Sequence, residues 1–416
     1  MENMESSLKR IKEHLINLSE FNTDSGEGLT RFTFTKEEEQ AREYLKNELK
    51  EIGVEAYEDQ AGNLFGRIVG EKADTPAIMI GSHYDSVKNG GHFDGPAGVI
   101  MALEIMTLLK EEGFKPQYPI EFVALIEEEG GRFGSGLYGS RAMTGAISYQ
   151  DLLNYKDKDG ISMAEELKNH GFEPKNIKDA ARDPESIKAF IELHIEQGPV
   201  LESEEKDVGL VDFIVGINEF KVKLKGRPDH AGTTPMQLRK DALLSASRVV
   251  QEVEKSALKA GHATVATVGE MEVKPGAANI VPGEVEFSVD IRSKKAELVE
   301  QVKDDILSIL AEEEKNYAVE WEINELLSVD PIPLSEEILE LFIESAEEND
   351  FSYKKMISGA GHDAMVMANM TDVGLVFVPS KNGRSHCPEE WTDYADLQKG
   401  IEVIYQTVKK LGGQNG

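Results

Sequence analysis

Cysteine is almost absent from the sequence, because Cys387 is the single cysteine among 416 residues. One thiol cannot form an intramolecular disulfide, and the N-terminal segment MENMESSLKRIKEHLINLSEF lacks the apolar core of a secretory signal. No stretch approaches the roughly 18 consecutive apolar residues that a transmembrane helix needs. These absences predict a cytoplasmic protein with no disulfide framework and no membrane partner.

Positive charge is also scarce, with 45 lysine and arginine residues against 77 aspartate and glutamate residues. The resulting net charge of −32 repels nucleic acid and anionic membranes, which excludes nucleic acid as an expected partner. Aromatic residues make up only 7% of the chain, but a hydrophobic content of 40% is enough for a sizeable core. The length predicts two or three domains in a soluble globular protein.

Strand and helix patterns alternate along the first half of the chain. Apolar residues at helical spacing predict helices over residues 4–21, 35–52 and 97–112. Runs rich in strand-forming residues predict strands over residues 63–69, 76–80, 120–126 and 189–195. This alternation is typical of the α/β class, in which helices cover both faces of a sheet.

The pattern changes after residue 209, where alternating apolar and polar residues begin. Helices predicted over residues 241–258 and 296–313, with strands over 264–273 and 284–292, indicate a smaller α+β domain. A strand over 374–378 and a helix over 394–411 then return to the first sheet. We therefore predict a main domain in two parts, residues 1–211 and 329–416, with residues 212–328 inserted between them.

The segment GSHYDSVKNGGHFDGPAG joins a buried strand to a predicted helix. His83 and Asp85 point to the same face because strand side chains alternate, which suits a metal ligand with an orienting carboxylate. Asp94 follows in the loop, and catalytic groups often lie where a strand of a sheet runs out into a loop. The alternative interpretation is a core histidine accompanied by turn aspartates.

Three consecutive glutamates, Glu127, Glu128 and Glu129, directly follow the apolar run FVALI and lead into a glycine-rich loop. No helical pattern surrounds them, so a solvated helix face does not explain them. Adjacent carboxylates can divide their work, since one can bind a cation while its neighbour takes up a proton. An acidic turn is the alternative, because the chain has other acidic clusters.

Two further histidines lie near the ends of predicted strands, His194 in FIELHIEQGP and His386 in PSKNGRSHCPEEW. Taken alone, each is typical of a structural histidine. Taken with the other motifs, five candidate ligands collect at strand ends of one predicted sheet: His83, Asp94, Glu129, His194 and His386. Imidazole and carboxylate groups without thiolate suit zinc, manganese or cobalt, and five ligands suit two ions that share a bridging carboxylate.

These motifs, together with DHAGTTPMQLRKDAL and GAGHDAMVMA, resemble the N-carbamoyl-L-amino-acid hydrolase and allantoate amidohydrolase branch of the dinuclear-zinc aminoacylase and peptidase family. The resemblance runs from about residue 35 to the final predicted helix. It implies a homodimer, in which a larger catalytic α/β domain carries a smaller inserted lid domain that makes the dimer contacts. Gly131 replaces an expected serine and Cys387 follows His386, but neither departure replaces a ligand.

The resemblance also implies a role for each residue of the metal site. It assigns one metal to His83 and His194, the other to Glu129 and His386, and the bridging position to Asp94. Glu128 matches the position of the general base, and Asp85 matches the carboxylate that orients His83.

Further positions match the family's substrate contacts. His230 resembles the histidine that reaches the partner subunit's site and stabilises the oxyanion. Gln197, Asn279, Arg292 and the backbone of Gly361 match substrate-binding positions. From the residues alone, Arg292 can project a planar fork suited to a carboxylate, and a surface ion pair is the alternative.

The implied activity is metal-dependent hydrolysis of the carbamoyl C–N bond of N-carbamoyl-L-amino acids, which releases the amino acid, CO2 and ammonia. The expected substrate is a small ureido compound with a carboxylate. Allantoate shares both groups, so an allantoate amidohydrolase is the alternative. A dinuclear-metal aminopeptidase or dipeptidase is less favoured because of the HIEQGP and HAGTTPM strings. A catalytically inactive metal-binding protein is the non-enzyme alternative, and the intact set of candidate ligands disfavours it.

Overall fold

The computed structural model describes residues 2–24, 26–72, 75–262 and 264–413. Two units divide the chain: the first consists of Met1–Phe213 and Pro333–Gly416, and the second of Ile214–Ile332. Within the described ranges, no helix combines the length and the apolar composition that crossing a bilayer requires.

The helices and strands of both units are numbered in chain order. The strands are β1 Ala56–Glu58, β2 Leu64–Ile68, β3 Ala77–His83, β4 Ile120–Leu125, β5 Ile187–Ile195, β6 Val208–Ile214, β7 Gly216–Lys225, β8 Val265–Thr267, β9 Met271–Lys274, β10 Glu284–Ser293, β11 Glu320–Val329, β12 Ile332–Pro333, β13 Tyr353–Ser358 and β14 Asp372–Val378. The helices are α1 Glu2–Ser19, α2 Lys36–Glu51, α3 Pro96–Glu111, α4 Tyr138–Met143, α5 Tyr149–Asn154, α6 Met163–Asn169, α7 Val200–Ser203, α8 Ala242–Ala260, α9 Ala296–Tyr317, α10 Glu336–Glu348, α11 Asp363–Met367 and α12 Tyr394–Leu411.

The main sheet of the first unit has the strand order β1-β2-β4-β3-β5-β14-β6, with β13 beside β6. The four central strands β4, β3, β5 and β14 are parallel, whereas β1, β2 and β6 pair antiparallel at the two sides. Every residue of β3 and β4 is buried, which is expected for parallel strands covered on both faces. The carboxyl ends of the four central strands therefore lie at one edge of the sheet.

Helices cover both faces of this sheet. On β5, the side chain of Leu193 lies against Gly400 of α12. The neighbouring Glu192 accepts a hydrogen bond from the backbone N–H of Ala364 at the start of α11, at 2.9 Å. Successive side chains of a strand point to opposite faces, so α12 and α11 lie on opposite sides of the sheet. The predicted α/β class is confirmed.

Helix α3 is the central helix of the first unit's core. It begins with Pro96 in the first turn, where the missing N–H of proline is not needed, and it is buried from Pro96 to Leu109. An almost entirely apolar helix of this kind must be covered on all sides, and α3 contacts β3, β4 and β5 as well as α1 and α12. Its first turn directly follows the loop that carries Asp94.

The second unit is an antiparallel sheet with two helices. The strand order is β11-β7-β10-β8, with β9 also paired to β10. Phe220, Val222 and Leu224 of β7 are buried and pack with α8 and α9 in a separate core. The alternation of these residues with Lys221 and Lys223 is typical of a sheet that has one covered face.

The single strand predicted over residues 264–273 is wrong, because β8 and β9 are separate strands that both pair with β10. Thr267 pairs with Asp290 and Met271 pairs with Phe287. The segment from Thr267 to Met271 therefore advances four residues while β10 advances three. The extra residue interrupts the ladder at Gly269, and the N–H of Glu270 donates to the hydroxyl of Ser288 at 3.0 Å.

Candidate metal centre

The four central strands of the first unit deliver the candidate ligands to one edge of the sheet. β3 ends at His83, the three glutamates follow β4, and His194 is the penultimate residue of β5. The loop that follows β14 carries His386. Residues that are distant in sequence meet here because the carboxyl ends of parallel strands share one side of the sheet.

Asp94 lies at the centre of this group of side chains. Its Oδ1 atom lies 3.1 Å from Nε2 of His194 and 3.6 Å from Nε2 of His83. Its Oδ2 atom lies 3.4 Å from Nε2 of His386. The two oxygens thus face different histidines, which is the arrangement that a bridging carboxylate needs.

Among the described residues, three groups of three side chains bring their ligand atoms within 4.8 Å of one another. The first is His83, Asp94 and His194, and the second is Asp94, Glu129 and His386. The third, which the sequence does not predict, is His83, Glu128 and Glu129. Mixed nitrogen and oxygen donors of this kind suit divalent cations such as zinc, manganese or cobalt.

One unsatisfied atom supports the fit to a cation. Oε1 of Glu129 is buried and accepts no hydrogen bond from any described residue, although Nε2 of His386 lies 3.3 Å away. A buried carboxylate oxygen without a hydrogen-bond donor is costly unless it coordinates a cation. The donor set and this oxygen therefore fit divalent metal binding.

Asp85 links His83 to the glutamate loop. Nδ1 of His83 lies 3.2 Å from the backbone oxygen of Asp85 and 3.5 Å from its Oδ1. The same carboxylate accepts hydrogen bonds from the backbone N–H groups of Glu128, at 3.1 Å, and Glu129, at 3.2 Å. Asp85 thus holds Nδ1 of the imidazole, so that Nε2 faces the other ligands, and it fixes the position of the loop.

The three consecutive glutamates have different surroundings. Glu127 has a φ of 51° and turns back into its own loop, where its Oε1 accepts from the backbone N–H groups of Arg132 and Phe133. Glu128 faces the ligands, with Oε2 at 3.7 Å from Nε2 of His83, and Glu129 faces His386. Glu127 therefore stabilises the loop, whereas its two neighbours belong to the cluster.

Burial dominates the electrostatics of the carboxylates. It raises the pKa of Glu128 well above its usual range, with smaller contributions from Glu129 and Asp363, while His83 opposes the shift. Burial would also raise the pKa of Asp94, but His194 and the other histidines lower it well below its usual value. Glu128 is therefore suited to take up a proton, whereas Asp94 stays ionised.

The carboxylates act on the histidines in return. Asp94 and then Glu129 raise the pKa of His386 to about 11. Burial lowers the pKa of His83, but Glu128, Asp85 and Asp94 together raise it well above its ordinary value. The cluster as a whole therefore favours positive charge, and bound cations would supply that charge.

Two predicted substrate contacts lie beside the cluster. Nε2 of Gln197 donates to Oδ2 of Asp94 at 2.7 Å, and its Oε1 is buried without a hydrogen bond from any residue that the structure describes. Gly361 lies in the turn between β13 and α11. The ring of the adjacent His362 packs against the ring of His194, with the centroids 4.5 Å apart.

The other three predicted site residues lie in the second unit. His230 is exposed and pairs with Ile280 in an isolated bridge, next to the exposed Asn279. Arg292 lies on β10, where its Nη2 donates to Oδ2 of Asp290 at 2.8 Å. These three residues belong to the second unit, whereas the other nine predicted site residues, which include the metal cluster, belong to the first.

Buried polar residues lie behind the candidate ligands; sequence reasoning left the role of Asp363 open and did not identify Ser82, Ser140 or Glu192. Glu192 accepts from the hydroxyl of Ser82 at 2.6 Å, and Asp363 accepts from the hydroxyl of Ser140 at 2.5 Å. Glu192 lies two residues before His194 on β5, so the alternation of the strand could have indicated it. Asp363 and Ser140 are 223 residues apart, and no local pattern joins them.

Comparison with known proteins extends these observations. The family model of peptidase family M20/M25/M40 matches residues 79–410. The chain is 44% identical over 403 residues to the N-carbamoyl-L-amino-acid amidohydrolase of Paenarthrobacter aurescens, which covers 97% of this chain and 98% of that protein. It is 36% identical over 412 residues to the allantoate amidohydrolase of Bacillus subtilis, which covers 99% of this chain and 100% of that protein. The crystal structure of an amidase of the hydantoinase/carbamoylase family from Burkholderia vietnamiensis matches with a TM-score of 0.88 and 32% identity over 97% of both chains.

Proposed function

Because the chain belongs to peptidase family M20/M25/M40 and is a hydrolase, we propose that it cleaves the carbamoyl C–N bond of N-carbamoyl-L-amino acids. The products are the amino acid, CO2 and ammonia. The observation that carries this proposal is the cluster around Asp94, in a chain that is 44% identical to an N-carbamoyl-L-amino-acid amidohydrolase.

We assign two divalent cations, zinc or else manganese or cobalt, to the cluster. His83 and His194 would hold one, Glu129 and His386 would hold the other, and Asp94 would contribute to both. The distances from the two Asp94 oxygens to these histidines support the assignment. When bound, the cations supply Lewis-acid chemistry, which polarises the carbamoyl oxygen and makes water acidic near neutral pH.

Glu128 is the proposed general base. Its carboxylate faces the cluster, and burial raises the pKa of this carboxyl group well above its usual value, which favours uptake of a proton. In this role Glu128 accepts a proton from water and later delivers it to the leaving nitrogen. Asp85 supports the role by holding the backbone of Glu128 and the ring of His83 with one carboxylate.

The substrate contacts rest on the resemblance. Gln197 and the backbone of Gly361 contact the substrate, Asn279 and Arg292 bind its carboxylate, and His230 donates to the developing oxyanion in the partner's site of a homodimer. In the structure Arg292 pairs with Asp290, as in the surface ion-pair alternative, and the planar fork that it uses there is one that a substrate carboxylate would also accept. We assign the lid and dimerisation roles to the second unit.

Allantoate is the second candidate substrate. It too presents a ureido group near a carboxylate, and the Bacillus subtilis allantoate amidohydrolase is 36% identical to this chain over almost its full length. The higher identity to the Paenarthrobacter enzyme favours N-carbamoyl amino acids.

A coupled ammonia-release assay tests the proposal, and release of free amino acids from the dipeptide, which yields no ammonia, is measured separately by chromatography. The panel contains N-carbamoyl L-amino acids, their D enantiomers, allantoate, an N-carbamoyl amine without a carboxylate and a dipeptide, each with zinc, manganese or cobalt. We expect the highest kcat/KM for an N-carbamoyl L-amino acid and little turnover of the amine, which offers Arg292 no carboxylate. A clear preference for allantoate would select the second candidate, and cleavage of the dipeptide alone would contradict both.

A further inference from the structure

Glu390 joins two loops of the metal centre that are far apart in sequence. Its side chain is 2% exposed, and its Oε1 accepts hydrogen bonds from the backbone N–H groups of Phe93, at 2.9 Å, and Asp94, at 3.0 Å. Glu390 itself follows His386 by four residues in the loop after β14. One carboxylate therefore ties the backbone of the bridging residue to the loop that carries a ligand histidine.

Ser385 makes a second connection between the same loops. Its hydroxyl donates to Oδ2 of Asp94 and lies 3.1 Å from Oε2 of Glu390. Oδ2 is the Asp94 oxygen that faces His386, whereas Oδ1 faces His83 and His194. Ser385 thus contacts one side of the bridging carboxylate, and Glu390 acts on that side through Ser385.

The Glu390 side chain can approach the loop before Asp94 closely because residue 91 is a glycine. A Cβ atom added to Gly91 would lie 2.0 Å from the carboxyl carbon of Glu390, well inside any possible contact distance. The backbone of Gly91 does not have the positive φ that disfavours alanine, so the Glu390 side chain is the main obstacle to a larger residue there. The loop containing Gly91 is therefore shaped to receive this carboxylate.

The two halves of the metal centre are supported in different ways. His83 and His194 belong to β3 and β5, whose positions the ladder of the central sheet determines. His386 lies in a loop, has a φ of 56°, and its side chain is 50% exposed. The half formed by Asp94, Glu129 and His386 consequently depends more on contacts between loops.

We infer that Glu390 is a positioning residue that sets the metal affinity of the Asp94, Glu129 and His386 half of the centre by clamping the two loops together. The inference rests on the proposed dinuclear centre. Groups that orient metal ligands typically change metal affinity about 10–100-fold when they are removed. Loss of the Glu390 carboxylate weakens one of the two metal equivalents by a factor of this size and leaves the other within about threefold.

The test is a zinc titration of the metal-free full-length protein in competition with a chromogenic chelator. Wild type is expected to bind two equivalents, and E390A is expected to show one equivalent weakened at least tenfold. E390Q restores the wild-type titration, because its side-chain carbonyl can accept the same two backbone N–H groups. E389A is the matched control, since Glu389 is exposed and pairs with Arg384 at 3.0 Å on the protein surface.

G91A provides an independent way to displace Glu390. It replaces E390A in the test if E390A shows no cooperative unfolding transition and is therefore not properly folded. It is expected to weaken the same equivalent as E390A. The clamp would be overturned, and the proposed metal centre retained, if wild type binds two zinc equivalents tightly and E390A and G91A bind both equivalents unchanged or weaken both equally. Wild-type protein that binds no zinc would instead overturn the proposed metal centre on which the clamp depends.

Discussion

Glu128 differs from its two neighbours by environment and not by chemical type. Glu127 is engaged by the backbone of its own loop, and Glu129 lies next to His386 with an oxygen that accepts no hydrogen bond from the described residues. Glu128 combines burial, a raised pKa and a position 3.7 Å from Nε2 of His83. Of the three, it alone combines the properties of a base with a position at the cluster.

Substitution E128Q separates proton transfer from metal binding. It keeps the size of the side chain but removes the group that accepts a proton, so kcat is expected to fall about 10²–10⁴-fold. Metal content, measured by elemental analysis after gel filtration, is expected to match wild type.

E127Q is the matched control in the same loop, because a glutamine carbonyl can accept the two backbone hydrogen bonds that Glu127 accepts now. We expect kcat close to wild type for E127Q. An E128Q enzyme that retains near-normal kcat would show that another group acts as the base.

Helix α3 begins at a point where the backbone lies against the candidate metal ligand His83. Gly95, directly before the first turn, has a φ of 80°, and a Cβ atom there would lie 2.3 Å from Cε1 of the His83 ring. Only glycine fits both the backbone conformation and the contact. The start of the helix and the orientation of His83 are therefore coupled.

G95A is expected to displace the His83 ring and to weaken zinc binding at least tenfold. The control is G113A just beyond the other end of α3, where φ is 65° and an added Cβ atom meets nothing within 4 Å. Both variants lose stability because a Cβ atom at a positive φ is strained, and G95A loses more because its Cβ atom also meets the His83 ring. Zinc titration and urea unfolding together distinguish them, and equal zinc affinities in the two variants would refute the proposed contact effect.

The first unit buries many carboxylates at once. Burial raises the pKa of Asp59 to about 6 and the pKa values of Glu127, Asp363 and Glu390 to about 7. These groups keep a proton in the folded protein at pH values where the unfolded chain, with carboxyl pKa values near 4, has lost it. Their contribution to stability is therefore present at low pH and is lost as the pH rises through about 6–7.

The metal-free protein is accordingly expected to lose stability between pH 5 and pH 8. His386 acts in the same direction, because its raised pKa of about 11 contributes stability that is lost as the pH rises above the unfolded value near 6.5. The net charge of −32 adds repulsion as the remaining groups ionise. Thermal unfolding monitored by fluorescence is expected to give a Tm that decreases steadily over this range.

Zinc provides the internal comparison for this experiment. Its ligands must lose their protons to bind it, so added zinc is expected to raise Tm more at pH 8 than at pH 5. His14 and His92 have lowered pKa values, which burial causes, and they favour the opposite pH trend, but they are fewer than the buried carboxylates. A metal-free Tm that rises from pH 5 to pH 8 would contradict the predicted balance.

Local patterns predict the α/β class and the positions of the candidate ligands. The apolar runs of β3, β4 and β5 are readable because strands covered on both faces must be apolar along their whole length. Polar residues at the carboxyl ends of such runs lie at one edge of a parallel sheet, regardless of the structure of the segments that connect the strands. The resemblance to the N-carbamoyl-L-amino-acid hydrolase branch, based on the same segments, is confirmed.

Less buried strands escape such patterns. The sequence patterns do not predict β11 and β13, because the residues of these strands are mostly half-buried or exposed and form no continuous apolar run. The break between β8 and β9 depends on how these strands pair with β10, and the residues between β8 and β9 do not by themselves indicate that pairing.

The sequence by itself determined the class of fold, the set of candidate ligands and the family, because each depends on short segments with a fixed spacing. Only the tertiary structure decided which glutamate turns away from the cluster and which distant residues support the ligands. Glu390 lies 296 residues from Asp94, whose backbone it holds. Such pairs are joined by strand order and loop packing, and these depend on the whole chain folding together and not on any local periodicity.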